Sequence, residues 1–529
     1  MATTFQPFLR SRWAKLLAAT IAALLAFSFL SFATQLSFKV PKWNYSSQEP
    51  SKLQSTDTTP DVVEDTKSSP QPPVSPENAV QPESPTESLQ SASEEKLDYW
   101  TWETHSRFRS RSQISAFDGH SDSGLCAGFP TYILADIQVS LRIGINADKA
   151  KVGAQLSSVA RCIENLLIFS DLDDRVGDRR VYDVLAELPQ SYRQDNPDFE
   201  TYDKQKQLRA EGRLEHSNSE GWKLDRFKFL PMMEKAFEMR PNVKWYVFME
   251  DDTYFFWDNL FRFLDNLDPD TPKYMGSPSP GKEAADGKKT WFAYGGTGFV
   301  VSRAAMKKLL ARKVGPHGEY LEPSLSARYV DDIKGDCCGD SILGWAFWNA
   351  GVPLSGHWPS FCPHPIGGIP YSELYWCEPA LSLHRSLPQD MIGLWKWEQE
   401  RRYPGQGPLL FADLIVYFDP TSQKIRPDWE NADWDGFRDP DDSPAHDSFD
   451  SCRDACFQNP RCMQYNYHAR KCTFVSSIRF GWPRGPVGDG TPEENRFLAG
   501  WDLDKIKNWE VEHYCQDAHW VKPSTERIY

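Results

Sequence analysis

Three consecutive acids, Glu250-Asp251-Asp252, follow the uninterrupted apolar run Trp245-Tyr246-Val247-Phe248-Met249. Carboxylate oxygens are the ligands that hard divalent cations take, and a cation held this way neutralises a leaving diphosphate. A run of that kind is typical of a strand buried on both faces, and ligands of open α/β sheets bind at the carboxyl ends of such strands. A solvated strand end, or acids capping a following helix, would read the same way. Downstream, Gly295-Gly296-Thr297-Gly298 places three glycines within four residues, ahead of the helix-like Arg303 to Leu310. Glycines there let backbone approach a ligand or adopt positive φ; a tight turn is the plainer reading. Cys337-Cys338-Gly339-Asp340 puts a carboxylate at the start of a second apolar helix, where it could take a proton from a reacting hydroxyl. Leu381-Ser382-Leu383-His384-Arg385 ends a short alternating segment in a histidine, a residue that serves structure as readily as metal.

These residues need a sheet and helices to bring them together. From about Cys126 strand-like and helix-like segments alternate, as in an α/β domain with a mostly parallel sheet. Ile137 to Ile143 alternates like a strand, and Asn165 to Ser170 is an apolar run that ends at Asp171. Trp222 to Met239 reads as a helix with Phe227, Leu230, Met233 and Phe237 on one face. Between Pro420 and Ser448 neither period holds, and beyond it Cys452, Cys456, Cys462 and Cys472 crowd into a short span, as in a small disulfide-stapled module.

The 529-residue length allows two or three domains. A net charge of −15, with no basic stripe, argues against a nucleic-acid partner. Twenty tryptophans suit either an ordinary large core or sugar-stacking surfaces. Leu16 to Phe38 is uncharged and long enough to cross a bilayer, with Arg10, Arg12 and Lys15 before it. A cleaved signal peptide has a shorter apolar region, so an uncleaved anchor with the chain beyond it in the secretory lumen is the expectation. Glu49 to Asp98, rich in Ser, Thr, Pro, Gln and Glu, is a stem too polar to bury a core. Asn44-Tyr45-Ser46 is then an accessible glycosylation acceptor. Eleven luminal cysteines read as disulfide partners with at least one left over, and Cys362 and Cys377 are expected among the bonded ones. A structural zinc site is the competing use of these cysteines.

The order of strand, three acids, Gly-Gly-x-Gly, an Asp four residues before a Gly, and then a His resembles glycosyltransferase family 31, from about Ile133 to Leu387. That family includes the Fringe N-acetylglucosaminyltransferases and the core 1 β1,3-galactosyltransferases; the anchor, stem and Trp-Tyr-Val-Phe strand are most similar to its fungal branch. The resemblance implies a GT-A (Rossmann-like) fold, a manganese-dependent UDP-sugar site and inversion at the anomeric carbon. By position it implies metal binding by Asp252 and His384 and general base action by Asp340. It sets Gly295 and Gly296 beside the donor sugar and Asp171 near the nucleoside, and Asp251 and Arg142 are grouped with the donor-binding residues. Two departures stand out. Glu250 occupies a place where many relatives have Asp, which puts direct metal contact in question, and Gly339 stands where relatives tend to have a second acid, leaving Asp331, Asp332 and Asp336 as competitors to Asp340. The cysteine-rich end resembles a PAN/apple module, which implies Cys452–Cys472 and Cys456–Cys462 pairs, Cys515 outside, and a protein or carbohydrate ligand; a purely structural appendage fits equally.

The organisation expected is a cytoplasmic tail 1–15, signal-anchor 16–38, stem 39–125, catalytic domain 126–420, linker 421–447, PAN/apple-like α+β module 448–515 and tail 516–529. The expected activity is transfer of galactose or N-acetylglucosamine from a UDP-sugar to a glycan or glycoprotein in β1,3 linkage, by a type II membrane enzyme of the Golgi or endoplasmic reticulum. A glycoside hydrolase would need two carboxylates, which these motifs do not require. The alternative is an inactive carbohydrate-binding or adhesion protein acting through its cysteine-rich module.

Overall fold

Trp245–Glu250 is the strand on which the fold is organised, and its side chains divide between two cores with a period of two. Trp245, Val247 and Met249 enter one apolar cluster with Val139, Leu141 and Ile168, while Tyr246 and Phe248 enter the other with Phe169, Phe299 and Val301. Burying both faces of one strand this way explains why its sequence lacks alternation; each large apolar side chain so buried is worth about 1.5–3 kcal/mol.

The computed structural model describes residues 99–100, 102, 126, 129–214, 219–401, 407–418 and 425–528. The expected anchor 16–38 and Asn44 lie outside the described residues. Among those described, no helix is long and apolar enough to cross a membrane.

The central sheet has eight strands in the order Leu354–Gly356, Tyr274–Gly276, Phe299–Ser302, Trp245–Glu250, Ile137–Arg142, Leu167–Ser170, Arg179–Asp183, Asp174–Val176. Six of the eight strands run in one direction, as expected of a mostly parallel sheet, and two run against them. Phe299–Ser302 runs antiparallel to both its neighbours, and Asp174–Val176 is antiparallel to Arg179–Asp183. The inserted antiparallel strand follows directly from the glycine-rich turn, which sends the chain back along the strand bearing the acids. Ile137–Arg142 is buried throughout despite its alternating sequence, and Gln138 Nε2 donates to the Asn165 carbonyl at 2.8 Å.

The helix expected from Trp222 is an α-helix only over Asp225–Met239, preceded by a 3-10 segment Ser219–Leu224. It packs with Gly339–Asn349 into the cluster containing Phe227, Phe229, Leu230, Ile342 and Phe347.

The cysteine-rich end folds around the helix Phe449–Gln458 and a five-stranded sheet, with its own small core of Tyr465, Phe474 and four cysteines. Its disulfides are Cys452–Cys472 and Cys456–Cys462. Ile425–Pro427 and Gly436–Phe437, within the stretch expected as linker, supply strands to this sheet. Ile478, Phe480 and Trp501 join the apolar cluster of the central sheet, so the module packs against that cluster while keeping its own small core. Tyr99–Trp100, from the stretch expected as stem, pairs with Trp520–Val521.

The remaining cysteines differ from expectation in one respect. Cys377 is bonded to Cys515, while Cys362 is free and buried among apolar side chains with no second thiol left to join. Cys126–Cys162 and Cys337–Cys338 complete five disulfides.

Candidate active site

The acids lie at the carboxyl end of the central strand, and pairing further along the chain decides what they face. Directly after them, Tyr254–Phe255 pairs antiparallel with Ser382–Leu383, and the Ser386 amide donates to the Asp252 carbonyl at 3.0 Å. This two-residue ladder carries His384 to the acidic turn, 132 positions downstream of Asp252 in sequence. His384 Nε2 then lies 3.6 Å from Asp252 Oδ1, too far for a hydrogen bond. Asp252 Oδ1 and His384 Nδ1 are both buried without hydrogen-bond partners among the described residues. Burial pushes the His384 imidazole down to about 4 against the opposing pull of Asp252, leaving it neutral near pH 7 with a lone pair free.

Ligand atoms of Glu250, Asp252 and His384 lie within 4.8 Å of one another. Two carboxylates and a neutral imidazole fit a divalent cation, and the orphaned Asp252 oxygen is the buried acceptor such an ion would satisfy. The other Asp252 oxygen pairs with Lys151 Nζ at 2.9 Å. Glu250 is engaged by Arg142, which also binds Asp225 and lies over the Phe229 ring at 4.2 Å. Burial raises the Glu250 carboxyl, with Arg142 opposing, and burial followed by Asp252 pushes Asp251 up to about 6.

The glycines pack against these groups. A Cβ on Gly296 would overlap the His384 ring, and one on Gly298, at φ 72°, would strike Phe255. Thr253 ties the two segments together: its Oγ1 accepts from the Glu250 amide at 3.0 Å and donates to the Gly296 carbonyl at 2.8 Å.

Asp340 enters from the first turn of Gly339–Asn349. Its Oδ2 accepts from the Gly295 amide at 2.9 Å and its Oδ1 from the Ser341 amide at 3.0 Å. Burial raises its carboxyl, with the Gly295 amide and Arg142 opposing. Asp340, Glu250, Asp251 and His384 line one cavity of about 690 Å³, whereas Asp331, Asp332 and Asp336 are not among its walls. Asp332 pairs with Lys282 at 3.0 Å, and Asp336 accepts from the Cys338 amide and the Ser341 hydroxyl. The structure also accounts for Gly339, since a Cβ there would overlap the Arg226 carbonyl and the Phe229 ring. Both sulfurs of the nearby Cys337 and Cys338 are in their mutual disulfide and offer no thiolate to a metal.

Also on the cavity wall, Asp171 Oδ1 accepts from the Ile145 amide at 2.8 Å and lies 3.8 Å from Lys228 Nζ. Lys228 is fully buried, donating to the Ile143 carbonyl at 2.9 Å and pairing with Asp225 at 3.0 Å. Arg142 and Lys228 hold Asp225 well below the usual carboxylate range despite its burial. Lys151, Thr253, Asp225 and Lys228 were not anticipated. A charged Asp225/Lys228 pair three apart, on a helix whose neighbours are Phe227 and Phe229, is the one sequence signal that could have marked two of them.

Residues 196–350 match the model of the Fringe-like family. That stretch holds the acidic turn, the glycines and Asp340; Arg142, Asp171 and His384 lie outside it. The chain is similar to the Fringe glycosyltransferase of Drosophila melanogaster, 34% identical over 101 residues, which is 17% of this chain and 24% of that protein. It is also similar to the beta-1,3-N-acetylglucosaminyltransferase radical fringe of Gallus gallus, 36% identical over 103 residues, 17% of this chain and 26% of that one. The chain thus spans about a quarter of the length of the curated relatives it matches. A solved glycosyltransferase involved in glycosylation of the major capsid of PBCV-1 aligns with 49% of this chain and 99% of its own, at 12% identity and a TM-score of 0.23. The chain therefore carries a segment similar to Fringe-type glycosyltransferases.

Proposed function

We propose that the chain is an inverting glycosyltransferase that takes a UDP-sugar, galactose or N-acetylglucosamine, and adds it in β1,3 linkage to a glycan on a glycoprotein. The observation that carries this reading is that His384, which faces Asp252 at 3.6 Å, and the Asp340 carboxylate line the same cavity as Glu250 and Asp251. Asp252 and His384, with Glu250 adjoining, would hold a divalent cation, manganese in this reading, which supplies charge neutralisation for the diphosphate when bound. Asp171 sits where a nucleoside would be received, with Gly144 and Asn146 beside it on the cavity wall. Asp340 takes the proton of the acceptor hydroxyl as that oxygen bonds to the anomeric carbon, while the bond from that carbon to the diphosphate oxygen breaks and UDP departs. Each Asp340 oxygen has a lone pair beyond the one its backbone donor uses, so the carboxylate can be held in place and still receive a proton.

Five disulfides support a luminal setting, and with the apolar segment 16–38 they fit a type II protein of the Golgi or endoplasmic reticulum. The PAN/apple-like module is a candidate binder of protein or carbohydrate. The test is manganese-dependent turnover of a panel of UDP-sugars, with UDP binding measured in parallel for the parent and Asp252→Ala. The expected result is turnover of one donor and loss of metal-dependent UDP binding in the variant. Absence of both turnover and UDP binding in the parent would favour the adhesion alternative.

A further inference from the structure

The proposed chemistry makes no use of the Cys337–Cys338 disulfide, yet it lies on the cavity wall two residues before Asp340. Cys337 is exposed and Cys338 half-buried, so the ring they close faces open space rather than filling a core. The loop beneath is fixed from several sides. The Asp336 carboxylate accepts from the Cys338 amide at 3.0 Å and from Ser341 Oγ at 3.2 Å. The Arg226 guanidinium donates to the Asp336 carbonyl and to Asp198, both at 2.5 Å. Gly339 sits so tightly on Arg226 and Phe229 that no side chain could be accommodated. The ring is therefore held at a set position relative to Asp340, which hangs from the Gly295 amide.

Two sulfurs and two methylenes joined in this way form a surface without charge or a strong hydrogen-bond donor, and sulfur is polarisable. Such a surface suits an apolar face, whereas Asp225, Arg226 and Asp340 are polar groups on the same cavity wall. A pyranose has this division: one face of C–H groups and a rim of hydroxyls. Resting on the transferase reading, we propose that the Cys337–Cys338 ring is the platform for the acceptor sugar, its C–H face against the sulfurs and its reacting hydroxyl at Asp340.

The test uses the full-length chain with the five aryl glycosides of galactose, glucose, mannose, fucose and N-acetylglucosamine as acceptors, and UDP binding read on every sample. Replacing both cysteines, Cys337→Ala with Cys338→Ala, is expected to raise the acceptor KM at least ten-fold more than the donor KM. A ring that served only to position Asp340 would instead lower kcat and leave the two KM values in their original ratio, and that result overturns the proposal. A second measurement needs no variant: a saturating acceptor glycoside should slow reduction of the Cys337–Cys338 bond by a soluble phosphine at least five-fold, as read by alkylation and peptide mapping. Equal reduction rates with and without glycoside, in a chain that binds UDP, overturn the platform; absence of UDP binding in the unaltered chain defeats the transferase reading instead.

Discussion

Asp340→Asn removes a base while keeping the outline of the side chain, and the structure determines what else it disturbs. A general base contributes a factor of about 10²–10⁴, or about 2.7–5.5 kcal/mol of barrier. The two carboxylate oxygens each accept a backbone N–H, from Gly295 and Ser341. An amide offers one oxygen only, so its NH₂ must confront the other backbone donor, leaving that buried N–H unsatisfied at about 1–3 kcal/mol. The variant should therefore melt earlier as well as react more slowly. The assay is transfer at saturating donor and acceptor, with UDP binding by calorimetry and a melting curve on the same samples. Expected are intact UDP binding, a lower Tm and transfer reduced at least 100-fold. Transfer within ten-fold of the parent, with UDP still bound, would refute the assignment. The parent's pH profile gives an independent check. Burial raises the Asp340 carboxyl and the base acts only when ionised, so kcat should fall with decreasing pH along a limb lying above the ordinary Asp value of about 3.9. A limb at or below that value would contradict the buried environment.

Gly296→Ala places a methyl where the His384 ring lies; overpacking costs about 1–3 kcal/mol, and manganese affinity should drop more than stability, read by calorimetry against melting. Arg527→Ala strips the partner, at 2.7 Å, from the buried Glu378. Breaking such a pair costs about 3–5 kcal/mol when the charge remains; burial pushes Glu378 up to about 8, with Arg527 opposing, so the loss should be larger at pH 9 than at pH 6, and an equal loss at both counts against it. Cys377→Ala with Cys515→Ala opens a loop spanning 138 positions, for which loop-closure entropy gives about 5 kcal/mol as an upper figure; an unchanged Tm would mean that the contacts between catalytic sheet and module suffice alone.

Much of the site could be read from the residues because its signals are local. An unbroken apolar run ending in three acids is typical of a strand buried on both faces with its charges at the end, and Trp245–Glu250 is such a strand. Asp340 is marked by its place at the head of an apolar helix, and the pairs Cys452–Cys472 and Cys456–Cys462 are those that the resemblance to a PAN/apple module implies. Other features depend on which distant segments meet. Cys377 joins Cys515 rather than Cys362 because the C-terminal segment returns to the catalytic sheet. The central sheet is mixed because the chain reverses at Gly295–Gly298. Lys228 reads as an ordinary helix lysine until the ends of two neighbouring strands bury it against Asp171 and the Ile143 carbonyl, beside Asp225 of its own helix.

The sequence by itself determined which carboxylates, glycines and histidine were present for the proposed site, since charge, apolar pattern and glycine spacing are properties of short segments. Tertiary structure alone decided that Asp252 meets His384 across a two-residue ladder, that Glu250 is held by Arg142, and that Asp340 rather than its acidic neighbours lines the cavity. Those outcomes depend on meetings between residues from 45 to 132 positions apart, and no local propensity encodes the distance between such residues.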